Sequence, residues 1–225
     1  MVKTLELAIW DYDGVLVDSF KDVHFAYTKI CSELAGKYFE DIGEFQKQYN
    51  AHKNHIAFLE SLGITRDKHA RADEIFKEEL TKVEPVFFEG IQDTLRKIYR
   101  GMDMVRVSSA HRSEIIPRLA VTDMLHLFMN IAACETNGKY FHKSEPIRNA
   151  IAEYALSPDN AIMIGDRDVD FSSAREAGIP AENIILVDYG WGYDREARKS
   201  EGYCLKTMVT KPLEIINAIK EIEMR

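Results

Sequence analysis

Leu5-Glu6-Leu7-Ala8-Ile9-Trp10-Asp11-Tyr12-Asp13-Gly14 is an apolar run that stops abruptly at two carboxylates and a glycine. Six residues of this kind, closed by a turn-forming Asp-Tyr-Asp-Gly, read as a buried β-strand. Similar runs follow at 102–107 (MDMVRV), ending at Ser108-Ser109; at 130–134 (NIAAC); at 160–164 (NAIMI), ending at Gly165-Asp166; and at 183–187 (NIILV), ending at Asp188. Helical periodicity fills the spaces between them, over 91–99, 113–125 (with Pro117 expected in the first turn), 145–154, 171–177 (closed by Gly178) and 212–222. Strands alternating with helices predict an α/β fold with a doubly wound parallel sheet. In such a sheet, ligands bind outside the carboxyl ends of the strands, so the polar residues closing the first, second and fourth runs converge on one crevice.

Residues 19–86 break the alternation. Helical patterns over 20–35, 42–48, 55–62 and 69–83 come with no convincing strand, and a block this long is too large for a simple crossover. It reads as an inserted helical unit, with Pro85 and Gly90 punctuating its return. The expected organisation is therefore an α/β core of residues 1–18 and 87–225 and a helical unit of residues 19–86.

Composition narrows the function. With 46% hydrophobic and 29% charged residues over 225 positions, the chain is that of an ordinary soluble globular protein with a full core. A net charge of −8 argues against general nucleic-acid binding, though a small anion can still bind a locally positive site. The apolar stretch before Asp11 is too short for a signal peptide, and no window approaches a membrane span. The three cysteines, Cys31, Cys134 and Cys204, lack metal-type spacing and read as reduced thiols of a cytoplasmic protein.

Chemistry concentrates at the strand ends. Asp11 and Asp13 leave the core together, and like charges so close call for a counter-charge; hard oxygen ligands suit Mg2+. The stretch Gly165-Asp166-Arg167-Asp168-Val169-Asp170 brings more acid to the same crevice than helix capping requires. Ser108, with free backbone amides at its turn, suits an anion. Lys143 stands just ahead of a helix start, where the helix dipole disfavours it and use in a site would explain it. A carboxylate nucleophile, a second carboxyl group, a metal-binding acidic pair, a hydroxyl and a lysine are the parts that phosphoryl transfer through an aspartyl-phosphate needs.

In this order, these residues resemble the haloacid dehalogenase superfamily of phosphohydrolases over the whole chain. Asp11 to Ser19 look like the first motif (with Val15 where Thr is commoner), Ser108 the second, Lys143 with Pro146 the third, and Gly165-Asp166…Asp170…Ala174…Ala177-Gly178 the fourth. The resemblance implies that Asp11 attacks phosphorus, that Asp13 is general acid and base, and that Asp11, the Asp13 backbone carbonyl, Asp166 and Asp170 hold Mg2+. It implies that Ser108 and Lys143 hold the phosphoryl oxygens, with Ser109 a further substrate-binding position, that Lys143 also orients Asp11, and that the helical unit caps the site. Ser109 stands where Asn is frequent, and Arg167 replaces a small residue; pairing with a neighbouring acid is expected of it, with contact to substrate as the alternative. Within the cap, Lys53 is the candidate for a second anionic group of the substrate, and His52 and His55 alone make a weak metal site. The expected activity is hydrolysis of a small phosphorylated metabolite by a monomer or homodimer. A phosphomutase on the same scaffold is the alternative; a phospho-acceptor module or a non-catalytic phospho-ligand-binding protein is the reading from another class. Dehalogenation needs no metal, and phosphonate cleavage wants a catalytic cap lysine, for which only Lys21 and Lys29 are near.

Overall fold

The computed structural model describes residues 4–52, 55–134, 142–190 and 208–225. Its sheet has six strands in the order β3-β2-β1-β4-β5-β6: β1 Leu7–Trp10, β2 Asp103–His111, β3 Asn130–Cys134, β4 Ala161–Gly165, β5 Ile184–Val187 and β6 Met208–Val209. Every pairing is parallel. The doubly wound α/β fold read from the sequence is therefore the observed one.

Strand alternation explains the two layers of core. Ala8 and Trp10 of β1 face one side, against α5 (Ile91–Tyr99), α6 (Arg112–Val121) and α9 (Glu214–Glu223), through Ile91, Leu95, Ile115, Leu119, Ile215 and Ile219. Leu7 and Ile9 face the other, against α7 (Ser144–Glu153) and α8 (Asp168–Glu176), through Ile147, Ile151 and Ala174. With β1 central and fully buried, both faces must be apolar, which is why this run carries no internal charge.

Between β1 and β2 the chain forms α1 (Phe20–Leu34), α2 (Ile42–Asn50), α3 (His55–Ser61) and α4 (His69–Thr81). These helices close on an apolar cluster of their own, with Tyr27, Phe45, Phe58 and Ile75 at its centre. The chain leaves and re-enters the sheet side by side: Asp18 N–H donates to the Val86 carbonyl at 2.8 Å, and Phe88 N–H to the Leu16 carbonyl at 3.1 Å.

Several details differ from the sequence reading. β2 runs on to His111, so α6 begins at Arg112, and Pro117 falls inside that helix beyond its first turn. α6 stops at Val121 rather than 125, because the chain turns through Asp123 at a φ of 53°. α8 starts at Asp168 rather than 171, since Asp170 accepts from the Arg167 backbone N–H and so closes the first turn. The strand β6 has only two residues, too few for any periodicity to register. Among the described residues, no helix is long and apolar enough to cross a membrane.

Candidate active site

The sheet order places the change of winding direction between β1 and β4, and Asp11 and Asp166 stand at the carboxyl ends of those two strands. Asp11 continues the ladder, its N–H donating to the Ile164 carbonyl at 3.0 Å. The chain then turns on itself. Gly14, at a φ of 81°, donates its N–H to the Val17 carbonyl at 2.9 Å, a conformation that L side chains resist. The turn carries the Asp13 carboxylate to Ser19, whose hydroxyl donates to it at 2.6 Å.

Asp11, Asp166 and Asp170 each offer a carboxylate oxygen within 4.8 Å of the others, and all three are buried. Lys143, 3% exposed, lies among them. Its ammonium donates to Asp170 Oδ1 at 2.6 Å and pairs with Asp11 Oδ1 at 2.8 Å. Asp170 is further held through Oδ2, which accepts from the Asp166 N–H at 3.2 Å and the Arg167 N–H at 3.0 Å. Lysine at this helix start, unfavourable for the dipole, is explained by these two carboxylates.

Three buried carboxylates face one ammonium, and the crowding shows in the proton affinities of Asp11 and Asp166. Burial, and then the nearby Asp170, push Asp11 up to about 6 against the opposing pull of Lys143. Burial, Asp170 and Asp11 push Asp166 well above the usual carboxylate range. Burial alone would lower Lys143, but Asp11 and Asp170 together hold it above an ordinary lysine. A dry, oxygen-only cluster with surplus negative charge fits a hard divalent cation such as Mg2+. Asp170, with three donors on it already, is better placed to reach such an ion through water.

Two glycines make the cluster possible. A Cβ on Gly165 would lie 2.3 Å from Asp170 Cβ and 2.7 Å from Asp170 Oδ2. A Cβ on Gly190, just after β5, would lie 2.3 Å from the Gly14 carbonyl oxygen and 2.6 Å from Asp166 Cβ. Gly165→Ala is therefore expected to expel Asp170 from its clasp, costing roughly 1–3 kcal/mol of stability and about 100-fold in turnover. Thermal denaturation and steady-state rates on the purified variant check both.

The other candidates are placed as follows. Ser108 is buried within β2, three residues before its end, where the β2–β3 register shifts between Ser108 and His111. Lys53 lies outside the described residues, as does the side chain of Ser109. The guanidinium of Arg167 stacks over the Tyr49 ring at 4.7 Å and donates to the His52 carbonyl at 3.4 Å, so it bridges to the helical unit. His55 is held between Tyr27 and Asp73, accounting for that histidine without a metal. Gly190 and Tyr189, whose hydroxyl donates to the Val15 carbonyl at 3.1 Å, had no motif to announce them.

The family model described as haloacid dehalogenase-like hydrolase matches residues 8–184, most of the chain, with Asp11, Ser108, Lys143, Asp166 and Asp170 inside the match. The chain belongs to this family. It is thus an enzyme, a haloacid dehalogenase-like hydrolase. It is 27% identical to a phosphoglycolate phosphatase of Chromobacterium violaceum, over 84% of this chain and 88% of that one. A phosphoglycolate phosphatase of Nitrosococcus oceani is 22% identical over 98% of this chain and 99% of its own. Among solved structures, a haloacid dehalogenase-like hydrolase from Streptococcus pneumoniae superposes with a TM-score of 0.75 at 24% identity, covering 96% of this chain and 98% of that one. This structural likeness shows the fold.

Proposed function

We propose that this hydrolase is a magnesium-dependent phosphatase that cleaves a small phosphomonoester through an aspartyl-phosphate on Asp11. The observation that carries the reading is the ammonium of Lys143, shared between Asp11 and Asp170 at the end of the central strand. It leaves Asp11 ionised, oriented and partly shielded toward an incoming phosphoryl group.

Asp11 Oδ attacks phosphorus, and the bond to the leaving oxygen breaks. Asp13, held by Ser19, gives that oxygen its proton. Asp13 then takes a proton from water, which attacks the same phosphorus and returns Asp11 as a free carboxylate with release of inorganic phosphate. Ser108 and Lys143 bind the phosphoryl oxygens throughout. A cation held by Asp11, the Asp13 carbonyl, Asp166 and, through water, Asp170 would supply the remaining positive charge. Residues 19–86 act as a cap over a core of 1–18 and 87–225, with Arg167 contacting both and Lys53 offered to a second anionic group of the substrate.

2-Phosphoglycolate is the first substrate to test, since both full-length relatives carry that name. Phosphate release is measured over a panel of phosphomonoesters with Mg2+ and with EDTA. Release that needs the cation supports the reading, and the preferred ester gives the substrate class. Release unaffected by EDTA would overturn the metal assignment. Activation by a hexose bisphosphate, with transfer in place of net hydrolysis, would make the enzyme a mutase.

A further inference from the structure

We propose that Arg106 is a positioning residue of the reaction, its buried guanidinium holding the Asp11–Asp13 turn and offsetting the negative charge that passes through it. This rests on the phosphoryl-transfer reading of the site. Arg106 lies in β2 between Val105 and Val107, all three completely buried. A guanidinium is out of place there, because the fold needs only an apolar side chain.

What the guanidinium touches is the nucleophile's own turn. Its Cζ sits 4.2 Å from the centroid of the Tyr12 ring, and Tyr12 is the residue between Asp11 and Asp13. Among the described residues, none of its three nitrogens has a hydrogen-bond partner. Burial pulls Arg106 down to about 10, and the groups holding it up are Tyr12, Asp13 and Asp11, in that order. It is thus a buried positive charge without a partnered carboxylate among the described residues, and the two carboxylates that act on it are those that would do the chemistry. Arg118 of α6 also faces Tyr12, so the phenol sits among cations on this side.

Energetics separate the two roles such a residue can have. Burying a charge without hydrogen bonds weakens a fold, and replacing it with an apolar side chain of similar volume is often stabilising. Residues kept at a cost to stability gather at functional sites. Packing cannot account for Arg106, whereas a fixed charge beneath a turn that passes from carboxylate to acyl phosphate and back can.

The test uses full-length Arg106→Met and Arg106→Lys proteins, with p-nitrophenyl phosphate and Mg2+ as probe. For the Met variant, kcat is expected to fall about 100-fold. KM stays within roughly twofold, because the residue does not touch substrate. The melting temperature holds or rises by about 2–4 °C. The Lys variant recovers part of kcat. A melting temperature that falls in step with kcat, with Lys no better than Met, assigns Arg106 to packing and overturns the proposal, as does an unchanged kcat. If the wild type releases no phosphate at all, the phosphatase reading fails on its own. The melting temperature of Arg106→Met then still decides whether this charge is a cost the fold bears or a support it needs.

Discussion

Asp11→Asn protein is expected to fold normally and to lose phosphate release by about 10^4-fold or more, with the residual rate independent of Mg2+. The amide is nearly isosteric, so the hydrogen bond from the Asp11 N–H to Ile164 and the packing of Trp10 survive. What disappears is the nucleophile, together with one of the charges that crowd the cluster. Because Asp11 is already pushed up to about 6 by burial and by Asp170, removing its charge should leave the metal-free protein at least as stable as wild type. A normal or raised melting temperature beside a silent active site is the diagnostic pair. Acid quenching of wild type during turnover should trap a base-labile phosphate on Asp11, absent from the variant. Rapid turnover by Asp11→Asn would refute covalent catalysis at this position.

Lys143→Met is expected to damage both fold and chemistry, and to do so in a pH-dependent way. It strips the ammonium from Asp11 and Asp170 and leaves buried carboxylates without their counter-charge. Breaking a buried ion pair from one side costs roughly 3–5 kcal/mol, or about 6–20 °C for a chain of this size. The sign of the pH effect follows from Asp11. Its folded value of about 6 lies above the ordinary 3.8, so the folded protein takes up the proton more readily than the unfolded one. That contribution is full below the unfolded value and is lost as pH rises through about 6. Without lysine the Asp11 value moves higher still. The loss of melting temperature should therefore be largest near pH 8, small near pH 5, and partly reversed by Mg2+ at the higher pH. Calorimetry at the two pH values, with and without the cation, measures it. Equal destabilisation at both would mean that the carboxylates do not carry the charge assigned to them.

The carboxylates at the strand ends were legible because each interrupts a pattern. Asp11 and Asp166 end apolar runs, and Lys143 opens a helix at the wrong pole of its dipole. The structure adds what a linear pattern cannot hold. Asp170 looked like one more metal ligand, but its two oxygens already accept from Lys143 and two backbone amides, so it organises the loop as much as it offers charge. Gly190 had no motif, because its need for a bare Cα comes from Gly14 and Asp166, both far from it in the chain. Arg106 was hidden for a different reason. A second charge within MDMVRV, after Asp103, looks like the polar face of a strand until both faces of the sheet are seen to be covered. Arg167 was expected to pair with a neighbouring acid; it feels the charges of Asp166 and Asp170, and its guanidinium also stacks on Tyr49, a partner outside its own segment.

The two connections between sheet and helical unit lie against one another, Val17 bridging to Phe87 and Asp18 hydrogen-bonding to Val86. The ends of a segment of nearly seventy residues, 19–86, thus meet at one doorway, where a short turn could join them. Such a unit is interchangeable in principle: lengthened, shortened or swapped for another, it would alter what the crevice admits while the acids at the strand ends keep their places. Selectivity and reactivity would then be free to evolve separately, one in the segment and the other in the sheet.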